Sequence, residues 1–165
     1  LPVALYLLLW IALPTVEAAA PPDRVERFIA RMQGAWDGEA VRTPVGRLPY
    51  VIDLRPTGAH RVQGYAEPGA ATHYWTFDGS AGRLRLRFLT TFRGNRTPVF
   101  LVARSWDGDA AVFEEQGSDR LRVRVEPGDT HATIRVTLRR RAHVEIHLRR
   151  AGSERRFSPT KGAEP

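Results

Sequence analysis

The sequence predicts an all-β protein, an up-and-down antiparallel β-barrel of roughly eight to ten strands with a short N-terminal helix. Three observations predict it. Apolar and polar residues alternate with period two along most of the chain, clearest in RLRLRFLT at 83–90. Turn pairs such as Asp78-Gly79, Gly94-Asn95, Asp107-Gly108 and Pro127-Gly128 break that alternation about every ten residues. The whole is 165 residues long, enough for one domain with a core of its own.

Residues 1–16, LPVALYLLLWIALPTV, are apolar and are followed by the small residues of EAAA and by Pro21-Pro22. That pattern reads as a signal peptide over 1–20, so a secreted or periplasmic location is expected. Retention as an anchor is the alternative, although the run falls short of the ~20 apolar residues of a spanning helix. Asp23 then caps a helix reaching Arg31-Met32, with Val25, Phe28, Ile29 and Met32 as its apolar stripe. Such a stripe suits a helix that closes the end of a barrel.

Strands are predicted at 38–43, 48–55, 59–66, 71–78, 83–90, 97–106, 110–116, 120–125, 131–139 and 141–149. Short connections make sequence neighbours antiparallel partners, and closing the sheet removes its exposed edges. For the last two strands a hairpin centred on Arg140 sets Leu138 opposite Ala142 and Arg135 opposite Glu145. Ala142, Val144, Ile146 and Leu148 then face inward. The barrel domain spans 21–151, and the polar segment 152–165 is expected to fray. A membrane barrel with apolar residues outward is disfavoured by short strands without aromatic girdles.

The chain has no cysteine, so it draws no stability from disulfides. Its net charge is +7, carried by arginine, with Lys161 as the single lysine. No RNA-sheet or helix-turn-helix signature accompanies that charge, so no nucleic-acid partner is expected. An arginine-rich face docking on an anionic membrane surface or another anionic envelope component is a possible partner reading.

Gly34-Ala35-Trp36 follows the helix and opens the first strand. A short helix, a Gly-x-Trp and a meander of strands resemble the calycin barrels, which include lipocalins and fatty-acid-binding proteins. The resemblance implies that Trp36 plugs the closed end and that a small hydrophobic molecule binds inside. GAWDGEA at 34–40 together with the final strand AHVEIHLRR also resembles nitrobindin-like haem barrels. That resemblance implies haem as cofactor and His143 as its ligand. The family's second histidine is replaced here by Glu145, and plain alternation turns His143 outward unless a bulge re-aims it.

The candidate ligand-binding residues are Trp36, Tyr74, Trp75, Phe77, Phe88, Phe100 and Trp106. His73-Tyr74-Trp75-Thr76-Phe77 is aromatic on both faces, so not all of this set can line one interior. Phe100, Val102 and Trp106 share a face under strict alternation. Arg42 and Arg55 are candidates for an anionic head group if they turn inward. His143, Glu145 and His147 share a strand face, but the outer two lie ~13 Å apart, which predicts a charged exterior rather than a metal site. Asp37 with Glu39, and Glu114 with Asp109, are formal acid–base pairs that nothing in the sequence activates. No nucleophile elbow, phosphate loop or metal box is present. The function expected is therefore non-enzymatic binding of a small hydrophobic ligand.

Overall fold

The computed structural model describes residues 22–43, 45–118 and 120–152. The signal peptide expected over 1–20 and the segment beyond Gly152 lie outside the described residues. Among the described residues one α-helix, α1 (Pro22–Met32), precedes ten strands. These are β1 (Gly34–Thr43), β2 (Gly46–Gly58), β3 (Arg61–Ala66), β4 (His73–Asp78), β5 (Arg85–Thr90), β6 (Val99–Asp107), β7 (Ala110–Glu115), β8 (Leu121–Pro127), β9 (His131–Leu138) and β10 (Arg141–Arg150). Each strand pairs antiparallel with its sequence neighbours, and β1 pairs with β10 to close the barrel. The expected up-and-down topology is thus observed, and it is consistent with a calycin-like barrel.

Alternation sets the two faces. Leu84, Val123 and Ile146 are buried inside, while Arg83, Arg85, Arg122 and Glu126 face water. Among the described residues, no charged or polar residue is fully buried. The hydrocarbon therefore points into the barrel, opposite to a lipid-facing one. The odd-numbered strands through β9 and the even-numbered ones run oppositely, giving the barrel two unlike ends. α1 lies across one end, where β1 begins and β10 finishes. Loops 43–46, 66–73, 90–99, 115–121 and 138–141 ring the other.

Four irregularities depart from plain alternation among the described residues, one of them between Pro56 and Gly58 at the β2–β3 turn and three with consequences for the candidate residues. The last hairpin turns through Arg139-Arg140 alone, with Leu138 opposite Arg141 and Thr137 opposite Ala142. The expected Leu138–Ala142 pairing is therefore corrected. A bulge at His143 then restores register, so Arg135 does face Glu145, with a hydrogen bond of 3.1 Å. A second bulge between Ala103 and Ser105 shifts β6 by one residue. It turns Trp106 inward against Phe28, away from the outward face of Phe100. The third lies between Ala40 and Thr43 and places Arg42 at φ 56°.

Candidate functional site

The closed end is solid. Val25, Phe28, Ile29 and Met32 of α1 enter the barrel and are buried. Phe28 packs edge-on against Phe77, Trp106 and Phe113 at 5.6, 5.9 and 6.0 Å. Trp36 is 0 % exposed and donates its indole N–H to the Met32 carbonyl at 2.9 Å. The Arg150 guanidinium stacks 4.2 Å from the Trp36 ring. It donates to the carbonyls of Arg31, Gln33 and Asp129 at 2.7, 2.7 and 2.8 Å. A cation on the last carbonyls of a helix satisfies orphan acceptors and complements the helix dipole. Gly34, at φ 117°, leaves room for this arrangement, since a Cβ there would meet Arg150 Nη1 at 2.8 Å. Gly34-Ala35-Trp36 is therefore a structural plug remote from the open end.

The open end, or cup, is ringed by half-exposed apolar side chains. Leu48, Phe88, Val99, Leu121, Val136 and Val144 pack against the core yet remain partly exposed. They come from six different strands, so the apolar wall surrounds the mouth. At its floor stand Tyr50 and Trp75, both buried, with half-buried His73 beside them. Trp75 Nε1 donates to the Tyr50 hydroxyl at 2.7 Å, and that hydroxyl lies 3.0 Å from His73 Nδ1. Phe88 closes on Trp75 at 4.4 Å and on His73 at 5.5 Å between ring centroids. Burial pushes the His73 imidazole down to a pKa of about 4 and the Tyr50 hydroxyl above its ordinary value. The imidazole is neutral at pH 7 as a result.

No family model matches this chain, and no curated protein shows significant similarity to it.

The seven aromatic candidates are scattered by the fold rather than gathered. Trp75 and Phe88 belong to the cup. Phe77, Trp106 and Trp36 belong to the closed half. Tyr74 and Phe100 lie outside, 42 % and 64 % exposed, because β4 and β5 alternate strictly and β6 shifts only beyond Ala103. Neither can line the interior. Tyr74 instead pairs with Tyr65 at 6.1 Å in an open outer concavity of about 1160 Å³ over β2 to β5. His73 and Tyr50 were absent from the sequence-based set. His73 shares strand parity with Trp75 and Phe77, and that was the available signal.

The formal acid–base pairs are tied up on the outer surface. Arg149 lies 3.5 Å from Asp37, Arg47 2.9 Å from Glu39, Arg31 2.6 Å from Asp109 and Arg122 3.2 Å from Glu114. Arg55 faces outward onto Asp53 at 2.7 Å, and exposed Arg42 reaches Glu145 at 3.9 Å. Neither arginine enters the cup. His143 is exposed on its bulge at the lip, and His147 contacts Glu145 at 3.3 Å. Hydrogen bonding from Arg135 lowers the Glu145 pKa. Among the described residues no group of three or more His, Cys, Asp or Glu is arranged to hold a metal. The open rim also carries exposed Arg96, Arg120, Arg139 and Arg141, which have no carboxylate partner among the described residues.

Proposed function

We propose that this protein is an exported, non-enzymatic carrier of the calycin type that holds a small, mostly apolar molecule in its open cup. One observation carries the reading. Leu48, Phe88, Val99, Leu121, Val136 and Val144 at the mouth keep part of their surface in water, whereas Met32, Trp36, Phe77 and Phe113 at the helix end keep none. Apolar surface left accessible beside a few polar groups is a usual mark of a ligand site. The exposed arginines of the rim support contact with anionic membrane surfaces, where such a molecule would be collected or released. The test is mass spectrometry of small molecules extracted from natively purified protein, with diphenylhexatriene titration alongside. Saturable one-to-one dye binding that persists in high salt is expected, because cavity burial is not screened. No binding at any salt concentration overturns the reading. Sedimentation with anionic but not neutral vesicles, weakening with salt, tests the rim separately.

One observation favours haem as a second reading. The bulge at His143 breaks the alternation that would fix this residue outward, and it does so beside the apolar wall of Val136 and Val144. An exposed imidazole next to apolar surface fits an axial ligand, which would hold the iron while the cup covers the porphyrin face. Haem titration with a Soret band that changes in His143→Ala supports this reading. An unchanged band, or none, removes it.

A further inference from the structure

The hydrogen bonds at the cup floor favour one set of proton positions. A tryptophan N–H can only donate, so the Tyr50 oxygen accepts from Trp75. His73 Nδ1 is the acceptor in reach of the tyrosine proton among the described residues, and donating to it keeps that buried proton from going unpaired. A neutral imidazole that accepts at Nδ1 carries its proton on Nε2. That nitrogen has no hydrogen-bond partner in the protein among the described residues. It is also not sealed away, since no buried side-chain nitrogen or oxygen lacks a partner. His73 lies on β4 between inward Ala66 and Thr90, and its ring is flanked by Tyr50 and Phe88. Nε2 is therefore accessible on a ring held between Tyr50 and Phe88 at the open end.

We infer that His73 Nε2–H is a fixed hydrogen-bond donor for the cup's ligand, and that this ligand carries an uncharged carbonyl oxygen on an apolar body. This rests on the carrier reading. Ketones, aldehydes, esters and amides all supply such an oxygen. A carboxylate or phosphate suits the floor less, because it would draw a second proton onto an imidazole whose Nδ1 already accepts from Tyr50. The low pKa of His73 agrees with a site kept neutral. Anionic groups have the rim arginines instead.

The test pairs two dyes on the full chain. Prodan is a ketone whose emission moves to the red when its carbonyl accepts a hydrogen bond, and diphenylhexatriene has no acceptor. Wild type is expected to bind both, with prodan red-shifted relative to an apolar solvent. His73→Leu is expected to weaken prodan binding about tenfold, the worth of one hydrogen bond, and to remove the red shift. Diphenylhexatriene affinity should stay within about twofold, since its burial is unchanged. Equal prodan binding and emission in both proteins, with the hydrocarbon still bound, overturns the inference and leaves the carrier reading intact. Failure of both dyes on wild type overturns the carrier reading itself. Because the substitution strands the Tyr50 hydroxyl, imidazole nitrogen NMR on labelled wild type gives an answer without it. An Nε2–H tautomer at His73 is expected, and an Nδ1–H tautomer overturns the inference.

Discussion

The two ends of the barrel are built on opposite terms. At the helix end Met32, Trp36, Phe77 and Phe113 are 0 % exposed, and Arg31 and Arg150 bind α1 to the loops and last strand. At the open end apolar walls remain accessible and a neutral hydrogen-bonded trio forms the floor. Backbone strain is distributed unevenly too. Of the five described non-glycine residues at positive φ, Arg42 stands at the open end of β1, Arg93, Arg139 and Arg140 in open-end loops, and Ala81 alone at the closed end. Each such residue costs on the order of 1 kcal/mol. The difference teaches that tight packing is concentrated at the plugged pole, which leaves the other free to be strained and charged.

The sharpest way to break that comparison is to delete equivalent bulk at each pole. Phe28→Ala is expected to cost about 3–5 kcal/mol in denaturant titration. Leu48→Ala at the half-exposed mouth should cost less than about 2 kcal/mol. Equal losses would dissolve the distinction. The next effect is acid sensitivity located at the cup. His73 has a folded pKa of about 4 against an ordinary 6.5. A base depressed on folding contributes fully above pH 6.5, and that contribution is lost as pH falls toward 4. About 3 kcal/mol is expected to disappear across that window. Urea midpoints at several pH values should show the loss in wild type and a shallower fall in His73→Leu.

A smaller effect is expected at the plug. Arg150→Ala removes the stacked cation and three carbonyl contacts, for about 2 kcal/mol. Arg149→Ala, on the outer surface, should stay within about 0.5 kcal/mol. Thermal melts of the pair measure the contrast. The smallest effect has the opposite sign. A two-residue hairpin turn with positive φ at both positions favours Asn-Gly over Arg139-Arg140. Replacing both is expected to stabilise the protein by about 1 kcal/mol. No gain in midpoint would show that the open end carries no strain there.

Most of the architecture was legible because alternation and turn chemistry are local. Leu84, Leu86, Val123, Val125, Ile134 and Ile146 are buried where period two places them. The helix, with its stripe of Val25, Phe28, Ile29 and Met32, was equally plain. Bulges were not legible, since one extra residue leaves no mark in composition. That is why Trp106 and the Leu138 pairing came out differently. The cup floor was hidden for another reason. Tyr50 and His73 lie 23 residues apart, on strands that do not pair directly, and meet only across the curved interior. Aromatic content drew attention to both faces of β4, although one of those faces lies outside.

The seam between β1 and β10 has a consequence for how the molecule is made. The first strand waits for the last, and the guanidinium that caps the opening helix lies 119 residues downstream of the carbonyl it binds. Until Arg150 emerges from the ribosome, a growing chain keeps two unmatched sheet margins, a state prone to sticking to its neighbours. So long-range a closure puts folding after synthesis and makes it slow relative to helical proteins of similar length.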